Sequence, residues 1–476
     1  MKSELNCWYM DDGTIGGNFQ TVKDDLEMIK SKSADMGLLL NESKCEVLNG
    51  GNSKDFNNMK KLNDSNFMLL GSPITTTALN RTLTEAKEEI ERCLQRVKIL
   101  PMHYAYKIIQ ASFGAPRLIS ILRTAPCHDK PGLIEIDCVI KDNLEDIFNV
   151  RFTGFSNTQA TLPINFGGIG IRSANSLSMS AFIASFDAAT SLRPDLLPTN
   201  IYDDYKLKWK RICNQPVIAT TQKLLDYEVS KITQADLIIN SSPTDKSRLI
   251  STSDKNSGDW LKATPIKQIG IFLNNTEFRN ALCLRLGLTV FQPHACRCGA
   301  EIDELGGHCF ACSRNNAKIL RHTMVNQCVA QALTTAGCPN KMEPINLEHR
   351  FGVRPDGLTI IPFEKGKHLT WDVSIPHSLC SSHFLNNKKV GDTATIVESK
   401  KSIKYNCLTE DYSFSPIVID TLGAYGKITR NLLQKIGKRL RDRNGMKEAA
   451  SYFRQRISIA IQKGNSLALN YALEER

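Results

Sequence analysis

The sequence predicts an α+β multidomain chain, on three observations. At 476 residues it exceeds the roughly 250 to 300 at which a single hydrophobic core stops growing. Segments with apolar residues at helical spacing alternate with short strand-like runs bounded by Gly, Pro and Asn. The character also shifts twice: it turns Cys/His-rich near Pro293, then from about Glu343 becomes strands with a long helix between them.

Composition narrows the class. Apolar residues make up 41% and charged residues 23%, near globular averages, and no apolar run approaches the ~20 residues that span a bilayer. The opening MKSELNCWYMDD has no apolar leader core and no small-residue cleavage site, so a reducing, intracellular setting is expected. There the 15 cysteines read as core thiols and metal ligands rather than a disulfide framework. The formal charge is +11, and residues 401–476 hold 14 Lys/Arg against 7 Asp/Glu, which favours an acidic partner, nucleic acid first. The alternative is that basic helix faces only keep the protein soluble.

The first element is a turn. Cys7-Trp8-Tyr9-Met10-Asp11-Asp12-Gly13 sets two adjacent acids in a tight apolar hairpin, with Gly16 and Gly17 just beyond. Such a pair can hold divalent metal, and polymerases need two ions about 3.5 to 4 Å apart on carboxylates fixed by strand backbone. Val22, Leu26, Ile29 and Met36 then recur at helical spacing, and Gly37 closes the helix ahead of a strand-like LLLNESKCEVL. A polar connection at 51–65 precedes a short strand, FMLLGSPI, ended by Gly71 and Pro73. Helical patterns fill most of 83–150, TLPINFGGIGIRS makes a Gly-rich turn, and 200–290 is helical again with a polar break at SSPTDKSR.

Next come soft ligands. Cys296-Arg-Cys298, followed after a short loop by His308-Cys309-Phe-Ala-Cys312, suits tetrahedral Zn²⁺, which takes four Cys/His ligands from two short turns. The preferred set is Cys296, Cys298, His308 and Cys312; Cys309 and His322 are rivals, because Cys309-x-x-Cys312 is the more usual knuckle spacing. An ordinary thiol-lined core is the alternative.

Two strands and a helix close the argument. Arg354-Pro355-Asp356-Gly357 enters one strand, a turn at EKGK follows, and Asp372 sits between Trp371 and Val373 in the next. Paired strands bring the two carboxylates together, as phosphodiester hydrolysis wants: acids for Mg²⁺ or Mn²⁺ and a lysine to orient the nucleophile. In 388–405 Glu398, Lys401 and Tyr405 share a helix face, with Lys404 adjacent. Lys401 is the expected catalytic lysine and Lys404 the next candidate. A surface helix with solvated lysines is the alternative.

Taken in order, these pieces resemble the back half of a non-LTR retrotransposon polyprotein. Tyr9-Met10-Asp11-Asp12 resembles the reverse-transcriptase palm hairpin, GLLLNESKCEV the next palm motif with Lys44 at its lysine position, and LLGSPI the primer-grip turn. Residues 83–180 resemble the thumb and connection. The Cys/His segment resembles the one that lies between polymerase and endonuclease, and Arg321-His322 recurs in that context. Pro355-Asp356, Asp372 and Lys401 resemble a PD-(D/E)xK restriction-like nuclease; Ser374 stands at the usual lysine position and the lysine is moved to the following helix. Asp420-Thr-Leu-Gly-Ala-Tyr-Gly and the basic stretch from Lys435 to Lys447 resemble the closing segment, with packing and DNA-backbone contact as its role.

The resemblance implies palm 1–80, thumb-like helices 81–180, a helical connection 181–290, a zinc segment 291–330 and an endonuclease domain 331–476. It implies DNA and element RNA as partners, no membrane, a nuclear setting, and nicking of DNA to prime reverse transcription. The family's third metal-binding Asp lies on a strand ahead of the hairpin, so Asp11 and Asp12 are expected to support no polymerase activity here, whether the gene is truncated or a decayed copy. The competing expectations are a nucleic-acid-binding remnant without catalysis and an expressed product with no function.

Overall fold

Tyr9 faces Asp12 across the Met10-Asp11 turn, closing an antiparallel pair of β1 (Leu5–Tyr9) and β2 (Asp12–Gly16). Met10 has φ 55°, the positive value that two-residue hairpin turns require. The computed structural model describes residues 1–48, 56, 58–192, 199–217, 221–345, 347, 353–380 and 389–472. Its contacts divide the chain into Met1–Ala86 and Lys87–Arg476. Both are mixed helix and strand, with small sheets.

In the first unit Asn18 caps α1 (Phe19–Asp35), its side chain accepting the Gln20 N–H. Gly37 has φ 78° and ends the helix as expected. The strand expected directly after it is shorter than its sequence suggested. Leu38, Leu39 and Leu40 are exposed without strand structure, and pairing begins only at β3 (Glu46–Leu48), parallel to β4 (Lys60–Leu62). Those leucines have no facing strand among the described residues, so an apolar run alone does not make one. LLGSPI folds as a hairpin of β5 (Met68–Leu69) and β6 (Ser72–Pro73) around Leu70 and Gly71, both at positive φ.

Helix α2 (Thr76–Val97) carries the chain across the division at Lys87, so the boundary expected after residue 80 falls inside a helix. The second unit continues through α3 (Met102–Ile108), α4 (Ala115–Thr124), α5 (Pro131–Phe148), α6 (Gly154–Thr161), α7 (Ala174–Leu192), α8 (Thr199–Cys213) and α9 (Gln222–Ile239). Then follow α10 (Pro243–Thr252), α11 (Asp259–Lys262) and α12 (Asn275–Leu286). The polar break is a helix start: the Ser242 side chain accepts the Asp245 N–H and Pro243 takes the first turn, where its missing N–H is harmless.

The Gly-rich turn at 163–170 is clamped by Arg285 of α12. Its buried guanidinium donates to the carbonyls of Gly168 (2.9 Å) and Ile164 (2.7 Å). A Cβ at Gly168 would lie 2.0 Å from the Leu162 carbonyl oxygen, so only glycine lets the chain pass.

The C-terminal part begins with β7 (His294–Ala295), β8 (Glu301–Ile302) and α13 (Gly307–Ala311). Helix α14 (Ala317–Thr335) then runs past the boundary expected at 330. A four-stranded sheet is ordered β12 (Tyr412–Val418), β11 (Lys367–Ser374), β10 (Gly357–Glu364), β9 (Asn340–Met342). β10 is antiparallel to both neighbours, whereas β11 and β12 are parallel, so the chain must cross over between them. Helix α15 (Asp392–Lys404) lies on that crossover. The last helices are α16 (Lys427–Asn444) and α17 (Ala449–Asn470). No helix among the described residues is long and apolar enough to cross a membrane.

The period-two alternation of β11 sorts its side chains. Leu369, Trp371 and Val373 enter a core with Val325, Val329 and Leu333 of α14, Ile436 of α16 and Ile457 and Ile461 of α17. Asp372, one residue out of phase, turns to the opposite face, where Tyr405 packs with Tyr412 and Phe414. A Cβ at Gly357 would lie 2.0 Å from the Trp371 ring, so a bare backbone there lets the indole seat and β10 pair.

Candidate functional site

β10, β11 and α15 position the two acids and the lysine. Asp356 precedes β10; its backbone N–H donates to the Trp371 carbonyl (2.9 Å), and its Oδ2 accepts the Val373 N–H (2.6 Å). The carboxylate is thereby pinned to β11 from the neighbouring strand. Asp372 is 5% exposed, and two groups of opposite kind hold its two oxygens. The Tyr405 hydroxyl donates its one hydrogen to Oδ1 (2.5 Å), with the Arg354 carbonyl 2.9 Å from the same hydroxyl oxygen, while Lys401 Nζ lies 2.5 Å from Oδ2. Burial, then the hydrogen bond to Asp372, raises the Tyr405 phenol well above its ordinary range, so it remains a donor.

Glu398, on the same face of α15, has a different task. Buried at 1% exposure, it accepts the Thr429 N–H and hydroxyl on Oε1, each at 2.7 Å, and the Ile428 N–H on Oε2 at 3.0 Å. Two unpaired N–H groups at the start of α16 are satisfied by a carboxylate from another helix. The Thr429 hydroxyl in turn accepts the Val418 N–H, so α15, α16 and β12 are locked together behind the site. Lys404 is turned elsewhere: it is exposed, and its Nζ stands 4.9 Å from the Tyr405 ring centroid. Of the two candidate lysines, the structure brings only Lys401 to the acids.

His322 is the residue that the sequence placed differently. As a rival zinc ligand it was expected near the cysteines; instead its Nε2 lies 2.9 Å from Asp356 Oδ2. That hydrogen bond raises the imidazole above its ordinary value, against partial burial. One turn on, Asn326 accepts the Trp371 indole N–H (2.8 Å) and donates to the Asp356 carbonyl (3.4 Å). His322 and Asn326 stand four residues apart on one helix face, but among the other polar residues of this helix they carry no distinguishing signal in the sequence. Asp356 Oδ1 takes no hydrogen bond among the described residues, which leaves one oxygen of the site open.

The soft-ligand group is separate. Cys296, Cys298, His308 and Cys312 offer ligand atoms that all lie within 4.8 Å of one another. Cys298 Sγ is 3.1 Å from His308 Nε2, and the Cys296 and Cys312 sulfurs are 3.8 Å apart. The Cys296–Gly299 turn closes through the Gly299 N–H to the Cys296 carbonyl at 2.8 Å, with Gly299 at φ 89°. The Ala300 backbone N–H, with smaller help from the other ligands, holds the Cys298 thiol down to about 7, toward the thiolate that binds metal. Three sulfurs and an imidazole so close could bind a metal such as zinc. Cys309 is excluded: it is buried among Phe291, Phe310 and Leu469, and burial pushes its thiol up to about 12.

Asp11 sits at the hairpin tip and Asp12 opens β2; both are exposed, and neither side chain has a hydrogen bond or ion pair among the described residues. Lys44 ends a short 3₁₀ turn at Glu42–Lys44. Asp420 is fully buried in the turn before α16, accepting the Leu422 and Ala424 N–H groups and the Ser378 hydroxyl. Burial lifts its carboxyl to about 6, and its hydrogen bonds hold the turn that leads into α16. Compared with known proteins, the chain matches no family model and no curated sequence.

Proposed function

We propose that the chain is a metal-dependent endonuclease that nicks one strand of DNA, borne by a non-LTR retrotransposon. The observation that supports this reading is the meeting of Lys401 with Asp372, beside Asp356 pinned to the same strand. A divalent ion held by Asp356 Oδ1 and, once Lys401 Nζ gives up Asp372 Oδ2, by Asp372 as well would be Mg²⁺ or Mn²⁺, since the donors are hard oxygens, and would supply an activated water and charge neutralisation at the phosphate. Asp356 keeps an oxygen open for it, and His322 fixes the other. Tyr405 orients Asp372 through one oxygen. Lys401, released from Asp372, would orient the attacking water. In the same reading the Cys/His group holds Zn²⁺, the basic C-terminal helices meet the DNA backbone, and element RNA and a nuclear setting follow from the resemblance.

The test is direct. Supercoiled plasmid incubated with the protein and Mg²⁺ or Mn²⁺ should become open circles, and Asp356→Ala should abolish the conversion. Retained binding of plasmid with no nicking by the unaltered chain would instead favour a nucleic-acid-binding remnant.

A further inference from the structure

Beside the acids, on the α13–α14 side, lies a recess of about 310 Å³ whose walls include Phe310, Lys318, Arg321, His322, Pro376 and His377. Its size is at the small end for a ligand site. Arg321 is 3% exposed. Its guanidinium donates to Asn465 Oδ1 (2.9 Å) and the Ile375 carbonyl (3.4 Å), and Nε has no hydrogen-bond partner. Among the described residues no carboxylate lies within ion-pair distance of it. Arg285, also buried, shows the contrast, since its guanidinium is ringed by carbonyl and hydroxyl oxygens. The Phe310 ring lies 5.5 Å from the guanidinium carbon, but a buried cation with an unmet N–H and no carboxylate beside it is still destabilising unless something anionic completes it.

Lys318 stands one turn before, half-buried, with its Nζ 3.5 Å from the Ala311 carbonyl as its one hydrogen bond among the described residues. Phe310 and His377 stack at 4.6 Å between ring centroids and make a flat wall. His322 belongs to this wall and also touches Asp356, so the recess is continuous with the site of the proposed chemistry.

We propose that the recess is a subsite for a single DNA phosphate neighbouring the one that is cut, with Lys318 as its direct contact and Arg321 as the buried charge behind it. The inference rests on the nuclease reading for the word neighbouring, but anion binding itself does not need turnover. A phosphate held here fixes the register of the strand over Asp356 and Asp372 without reading sequence.

The experiment follows binding of a short labelled duplex to the full chain in Ca²⁺ by fluorescence anisotropy, with single methylphosphonates walked along one strand. At one position the neutral linkage and Lys318→Ala should each weaken binding about five- to tenfold, and together no more than either alone. Lys318→Ala should also lower the salt dependence by about one counterion. Lys318→Gln, which keeps the packing of the stem, should behave the same, so a folding defect is distinguishable. Additive effects at every position, or no duplex binding, would overturn the subsite. Coupling at one position in a chain that never nicks with Mg²⁺ or Mn²⁺ upholds the subsite and sinks the nuclease reading.

Discussion

Lys401 Nζ lies 2.5 Å from Asp372 Oδ2, although 29 residues and a change from strand to helix separate the two in the chain. Lys404, three residues further, leans over the Tyr405 ring instead. The two lysines should therefore separate in a nicking assay. Lys401→Ala is expected to slow single-turnover nicking by about a hundredfold or more, the order found when one preorganised charge is removed from a site. Lys404→Ala should stay within about threefold of the unaltered chain. Equal losses in both variants would mean that the helix, not Lys401, is what matters.

The soft-ligand group predicts its own stoichiometry. Purified protein should carry one zinc per chain, released by a strong chelator and detected colorimetrically. Cys298→Ser and His308→Ala should lose it, whereas Cys309→Ser should keep it, because that thiol faces the core. Loss of metal in Cys309→Ser with retention in Cys298→Ser would move the ligand set to the knuckle spacing.

A pH dependence follows from His103. It is fully buried against Phe272 and Phe278, its Nδ1 accepting the Leu273 N–H (3.1 Å), and burial pushes it down to about 4, against a smaller opposing pull from the Trp260 backbone. Below about 6.5 the unfolded chain takes up a proton that the folded chain refuses. Stability is thus whole above 6.5 and falls as pH drops through 4, by about 3 kcal/mol in all. Urea midpoints measured across this window should fall less steeply for His103→Gln, which keeps an acceptor for Leu273. An unchanged slope would assign the acid sensitivity to other groups.

What was legible in the sequence followed from local chemistry. Strand period two around Trp371 puts Asp372 on the face away from the core, and helix period around Glu398 puts Lys401 and Tyr405 on one side of their helix, whereas spacing gives Cys296, Cys298, His308 and Cys312 as the preferred soft-ligand set and leaves Cys309 and His322 open. His322 stays open as a rival ligand in the sequence because the candidate Cys/His ligands are its neighbours there, whereas its neighbour in space, Asp356, is 34 residues away. The Leu38–Leu40 run was misread for the opposite reason: its composition is strand-like, but a strand needs a partner, and pairing is a property of the fold. The uncompensated charge of Arg321 carried no sequence signal, since it is defined by which carboxylates are distant.

The grip of Glu398 on Ile428 and Thr429 sets a trap for alanine scanning. An acid one turn from Lys401 looks like a third member of the machinery, and replacing it is expected to silence nicking. Such a null would arise because the lysine's platform comes adrift from the strand behind it. Thermal melting distinguishes the cases: Glu398→Ala should melt earlier than the unaltered chain, whereas an unshifted midpoint would place its carboxylate among the reacting groups after all.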